Sequence, residues 1–214
     1  MKILKRGISI AAVLTLFAMI LVSCLSGGKM MSIAVTPATS IIAQGTTQQF
    51  IATATLSDGT TINWTQAVNW TSLDPTVATI SNTAPSNGLA TSPTPTLGGT
   101  IGTTTITATD PLNNLSSPAQ IKVELVSSIT VTTTTQTIAP GQSQQFTATA
   151  LLSDGTTTQD LTTFVTWNSS NNSVATMNTT PGLATATTTT GTTNITATDP
   201  VTGKQSPVVT LTVQ

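Results

Sequence analysis

Apolar and polar residues alternate with a period of two along most of this chain. Phe50, Ala52, Ala54 and Leu56 alternate with Gln49, Ile51, Thr53 and Thr55, and the same pattern returns from Phe146 to Leu152. Ile33/Val35, Ile106/Ala108 and Leu211/Val213 repeat it. Alternation with β-branched Thr on the outer positions predicts half-buried antiparallel strands. The segments between carry turn residues: Ser57-Asp58-Gly59, Asp74-Pro75, Asp110-Pro111 and Gly203. After residue 24 no stretch carries a helical stripe. Short strands separated by turn residues predict an all-β sandwich.

The pattern is written twice. Gln48-Gln49-Phe50 through Thr60-Thr61 matches Gln144-Gln145-Phe146 through Thr156-Thr157 at 12 of 14 positions, 96 residues apart. Val68-Asn69-Trp70 recurs as Val165-Thr166-Trp167, and Gly88-Leu89-Ala90-Thr91 as Gly182-Leu183-Ala184-Thr185. Thr105 to Pro111 returns as Asn194 to Pro200 with one change. The repeat is too long for a solenoid unit and suits one small sandwich per copy, giving domains over 32–125 and 128–214. The linker Val126-Ser127 is so short that the pair is expected to form a semi-rigid rod of roughly 60 Å.

Residues 1–23 read differently. Lys2, Lys5 and Arg6 precede an apolar run from Ile8 to Val22. As a helix its 15 residues rise about 22 Å, short of a roughly 30 Å hydrocarbon core, which favours a cleavable signal peptide. The run ends in Leu21-Val22-Ser23-Cys24, which resembles the bacterial lipobox. That resemblance implies diacylation of Cys24, the single Cys, and two acyl chains supply the double signal that stable anchoring needs. The alternative is a Cys that merely sits in a membrane anchor. The same resemblance, to Gram-negative lipoproteins in which Asp after the Cys signals inner-membrane retention, implies the outer membrane for a chain with Leu25 there, and 24–31 reads as a short tether.

In order, Ile33-Ala34-Val35-Thr36-Pro37, Gln49-Phe50-Ile51-Ala52-Thr53-Ala54, Ser57-Asp58-Gly59-Thr60, Val68-Asn69-Trp70, Val77-Ala78-Thr79, Gly88-Leu89-Ala90-Thr91, Ile106-Thr107-Ala108-Thr109 and Leu211-Thr212-Val213 resemble the bacterial Ig-like domain, group 2. The likeness spans nearly all of 32–214. Copy two departs at Thr133, where the pattern has Pro, and copy one closes in Ile121-Lys122-Val123 instead of Leu-Thr-Val. The resemblance implies two tandem immunoglobulin-like β-sandwiches. It places Trp70 and Trp167 in the two cores, packed against Phe50 and Phe146, each Trp burying about 150–250 Å².

Composition narrows the function. Of 214 residues, 52 are Thr, none is His and one is Cys. The commonest general base and metal ligand is therefore missing, and neither an internal disulfide nor a thiolate cage can form. Lys29, Lys122 and Lys204 are the only cations beyond residue 28, too few to bind a nucleic-acid backbone. The acidic residues sit mainly in turns, where they bond nearby backbone. Their dispersal speaks against a Ca²⁺ site and against a catalytic constellation. Seven Asn-x-Ser/Thr triplets are what a chain so rich in Thr and Ser yields by composition.

Two aromatics have no counterpart in the other copy: Trp64, and Phe164 opposite Ala67. Each either covers an open end of its sandwich or offers a platform for a sugar or protein. Copy one also has a longer connection that includes Pro93-Thr94-Pro95, a place where binding could reside. The leading expectation is a non-catalytic cell-envelope lipoprotein without cofactors, at the outer membrane or cell surface. Its Ig-like domains would serve as an adhesion, interaction or stalk module with a surface protein or glycan partner. The alternative is a carbohydrate-binding protein using Trp64 and Phe164.

Overall fold

The computed structural model describes residues 28–214; the expected signal peptide and Cys24 lie outside them. Domain 1 comprises β1 (Met30–Thr36), β2 (Thr39–Ala43), β3 (Thr47–Gln49), β4 (Ile51–Leu56) and β5 (Thr61–Asn63). It continues with β6 (Asn69–Ser72), β7 (Thr79–Ile80), β8 (Leu89–Thr91), β9 (Gly102–Asp110) and β10 (Leu115–Glu124). Domain 2 comprises β11 (Val126–Thr133), β12 (Thr137–Ile138), β13 (Ser143–Leu152), β14 (Thr158–Asp160) and β15 (Thr166–Ser169). Its remaining strands are β16 (Ala175–Met177), β17 (Leu183–Ala186), β18 (Gly191–Thr198) and β19 (Val209–Val213).

Each domain is a sandwich. In domain 1, the sheet β2-β10-β9-β6 faces β1-β4-β5, which is extended by β3-β8-β7. In domain 2, β12-β19-β18-β15 faces β11-β13-β17-β16, with β14 also on β13. The expectation of antiparallel strands needs one correction: β2 pairs with β10, and β12 with β19, in parallel. The chain causes this by crossing from one sheet to the other between Thr36 and Thr39, and between Thr133 and Thr137, without reversing direction. The long connection in copy one holds a single 3-10 turn, Pro95–Leu97.

Period-two alternation became burial. Along β4, Ala52, Ala54 and Leu56 are buried while Ile51 is exposed and Thr53 and Thr55 are half-buried. Phe50 and Phe146 are fully enclosed at the two core centres. At those points a close approach demands glycine. The Phe50 N–H donates to the Gly88 carbonyl at 2.8 Å and the Phe146 N–H to the Gly182 carbonyl at 2.8 Å. Both glycines take positive φ, 77° and 75°. A Cβ on either would come within 2.4 or 2.2 Å of the Phe carbonyl oxygen.

The joint between domains is tighter than the expected linker. Val126 and Ser127 open β11, and Val126 is 3% exposed, so Leu125 alone separates β10 from β11. At the other end β1 begins at Met30, inside the segment expected as tether.

Candidate functional site

The sandwiches meet pole to pole, and the residues responsible come from both. Ala43 ends β2 of domain 1, yet it is fully buried among the core residues of domain 2. The Ala43 N–H donates to Gln159 Oε1 of β14 at 2.7 Å, and Gln159 Nε2 donates to Thr46 Oγ1 at 3.2 Å. Gly45 takes φ 84° with Val201 of domain 2 so near that a Cβ there would lie 2.8 Å from Val201 Cγ2. Behind this contact the Ser153 N–H donates to the Leu125 carbonyl at 2.9 Å, and the Leu125 N–H to Ser153 Oγ at 3.1 Å.

Charge closes the same joint. Lys122 Nζ lies 2.6 Å from Glu124 Oε1, and Ser153 Oγ donates to Glu124 Oε2. These two partners, Lys122 first, hold the Glu124 carboxyl below the usual carboxylate range, and Glu124 in turn raises Lys122. Sequence reasoning missed Gln159 and Val201. The signal available was the aligned difference between copies: Ile62 stands where copy two has Gln159, and Leu112 where it has Val201.

The residues singled out from sequence are distributed, not gathered. Trp70 is 2% exposed and its Nε1–H donates to the Thr65 carbonyl at 2.9 Å. Trp167 makes the equivalent bond to Thr162 at 3.0 Å, but it is only partly buried, its ring centroid 6.4 Å from that of Phe146. Trp64 is half-buried against the first core, and its Nε1–H donates to Asp110 Oδ2 at 3.1 Å. Phe164 is 36% exposed and lies in the other domain. The two therefore form no shared platform, and the one polar atom of the Trp64 side chain is already engaged.

The turn carboxylates face their own loops. Asp110 is 2% exposed. Burial pushes its pKa up, but hydrogen bonds from the Asn113 side chain, the Leu112 and Asn113 amides and Trp64 outweigh that and hold it below the usual value. Asp58 Oδ1 accepts from the Thr60 amide and hydroxyl at 2.9 and 2.7 Å. Asp154 accepts from the Thr157 hydroxyl and from the amides of Thr156 and Thr157, which lower its pKa to about 2. Among the described residues no three His, Cys, Asp or Glu side chains are grouped to hold a metal ion, and no helix is long and apolar enough to cross a membrane.

The fold has relatives. The Ice-binding protein 1 of Shewanella frigidimarina (strain NCIMB 400) is 37% identical over 148 residues, 69% of this chain and 15% of that protein. The chain thus matches a small part of that relative's length. Among solved structures, domains 5-6 of the S-layer protein SbsC align at 20% identity with a TM-score of 0.41, covering 87% of this chain and 98% of that one. The Yersinia pseudotuberculosis adhesin InvE aligns at 17% identity with a TM-score of 0.30, covering 87% and 60%. The model of the bacterial Ig-like domain (group 2) matches residues 29–117 and again 125–211, one match to each sandwich. With both matches together spanning most of its length, the chain belongs to the bacterial Ig-like domain (group 2) family, in two tandem copies.

Proposed function

We propose that this protein is a non-catalytic module of the bacterial cell envelope, anchored through lipid on Cys24, whose paired Ig-like domains act as a stiff stalk or interaction arm. The observation that carries this reading is the joint. Strand β10 passes into β11 through one residue, Ala43 of the first domain is enclosed in the core of the second, and Gln159 ties the two across the contact. Domains that merely share a chain have loose polar contacts and move independently. A welded pair holds whatever it displays at a fixed distance and angle. The turn-bound carboxylates and the engaged Trp64 indole fit a scaffold better than a reaction centre or a sugar platform. A relative named for ice binding shares a stretch that is 15% of its length, which suits a module reused inside larger proteins.

Protease digestion of intact cells, with lysed cells as control, tests the placement. Cleavage on intact cells is expected for a surface arm. Protection until lysis would put the domains in the periplasm and remove the adhesion reading, leaving an envelope spacer.

A further inference from the structure

The two sandwiches have corresponding N-terminal poles, and among the described residues only one of them is covered by another domain. In domain 2 the pole is built from Val126, Ser127, Gln159, Leu161 and Val201, and domain 1 sits on it through Ala43, Gly45 and Thr46. The matching positions in domain 1 are Met30, Met31, Ile62, Trp64 and Leu112. Three of these changes increase apolar character: Ser127 to Met31, Gln159 to Ile62 and Val201 to Leu112. Among the described residues no second domain covers them, although Ile62 is half-buried. Leu112 is 92% exposed where its counterpart Val201 is half-buried, whereas Met31, 58% exposed, matches a Ser127 that is exposed as well. Met30 and Trp64, buried residues in the other copy, are here half-buried over the end of the first core. Lys29 stands where copy two has Leu125, Gly28 where it has Glu124 and Ser26 where it has Lys122, so the open pole has one cation in place of the Lys122–Glu124 pair.

We propose that this pole of domain 1 is a footing that rests on the lipid surface. The occupant follows from chain length. Only four residue steps separate Cys24 from Gly28, at most about 14 Å of extended chain. An Ig-like domain of about 90 residues, with a radius of gyration near 12 Å, cannot be interposed between this pole and a bilayer so close. Exposed Leu112 and Met31, a Trp with its body on the core and its N–H on Asp110, and one Lys form a surface suited to the headgroup boundary, where side chains with an apolar body and a polar tip gather. Loss of the Gln159-type clasp makes the pole a poor receptor for another domain of this kind. The footing would hold the stalk upright on its anchor instead of letting it swing. The proposal rests on acylation of Cys24.

The test uses the full acylated protein in vesicles of phosphatidylethanolamine and phosphatidylglycerol, with and without nitroxide-labelled lipid. Nitroxide is expected to quench the share of tryptophan emission that Trp64→Phe removes, and to leave the emission of Trp70 and Trp167 intact. Leu112→Glu, at a site too exposed to disturb folding, is expected to cut that quenching at least threefold while the protein still floats with the vesicles. An acylated, vesicle-bound protein with unquenched Trp64 overturns the footing and leaves the anchor standing. A mass showing no acyl chains on Cys24 overturns the anchor and the footing together. Dimerisation of the Cys24→Ala protein that Leu112→Glu abolishes would assign the pole to a second copy, and so also overturn the proposal.

Discussion

Replacing Gln159 by Ala tests the welded joint most directly, because this side chain serves both domains at once. Its Oε1 is the acceptor for the Ala43 N–H at 2.7 Å, and Ala43 is fully buried. Its Nε2 donates to Thr46 Oγ1, whose own hydroxyl donates to the Ala43 carbonyl at 2.8 Å and keeps that bond in the variant. The second loss is therefore minor. The first leaves a buried amide without a partner, a penalty of about 1–3 kcal/mol. That loss should fall on whichever domain unfolds first, since its unfolding is what breaks the joint. Urea titration followed by tryptophan emission measures it, with Trp70 reporting domain 1 and Trp167 domain 2. Amide exchange at Ala43 supplies a local readout and should accelerate. A change for Gln159→Ala below about 0.5 kcal/mol, the scatter of ordinary surface substitutions, together with unchanged Ala43 exchange, would refute the claim that this contact binds the domains.

Other consequences are equally specific. Trp70→Ala should cost about 3–5 kcal/mol and Trp167→Ala distinctly less, because Trp70 is 2% exposed while Trp167 is only partly buried; equal losses in chemical denaturation would contradict the packing. Gly88→Ala combines a positive φ with a Cβ 2.4 Å from the Phe50 carbonyl oxygen, whereas Gly59→Ala has a positive φ and open space around it. Gly59→Ala should therefore lose about 1–2 kcal/mol, and Gly88→Ala visibly more in the same melting experiment. Asp58, Asp74 and Asp154 all have folded-state pKa values below 3.8. The stability they contribute is present above pH 3.8 and vanishes as pH falls through the folded values, about 2 for Asp154. Melting temperature should accordingly decline below pH 4, and Asp154→Asn should flatten its share of that decline.

What the sequence made legible follows from where the physics is local. Alternation of Ala52, Ala54 and Leu56 with Thr predicts which side of a strand faces inward, since successive side chains point to opposite faces whatever else the chain does. The recurrence of Gly88 as Gly182 was visible, but the close approach of each to Phe50 and Phe146 was not. The parallel pairing of β2 with β10 was hidden, because it depends on where the chain changes sheets, and hydrophobic period carries no information on strand direction. The joint was hidden for the opposite reason. Ala43 looks like any inward residue of domain 1, and its enclosure in the second core arises only when the poles meet. A tandem repeat nevertheless contains its own control. Identical positions in the two copies face the same local forces, so a difference between them reports what lies outside the domain. Gln159 differs from Ile62 because Gln159 must satisfy a neighbouring domain's amide, and Val201 differs from Leu112 because Val201 meets Gly45. By the same logic the apolar character of Ile62 and Leu112 agrees with the proposed footing, since a lipid surface presents no amide to satisfy.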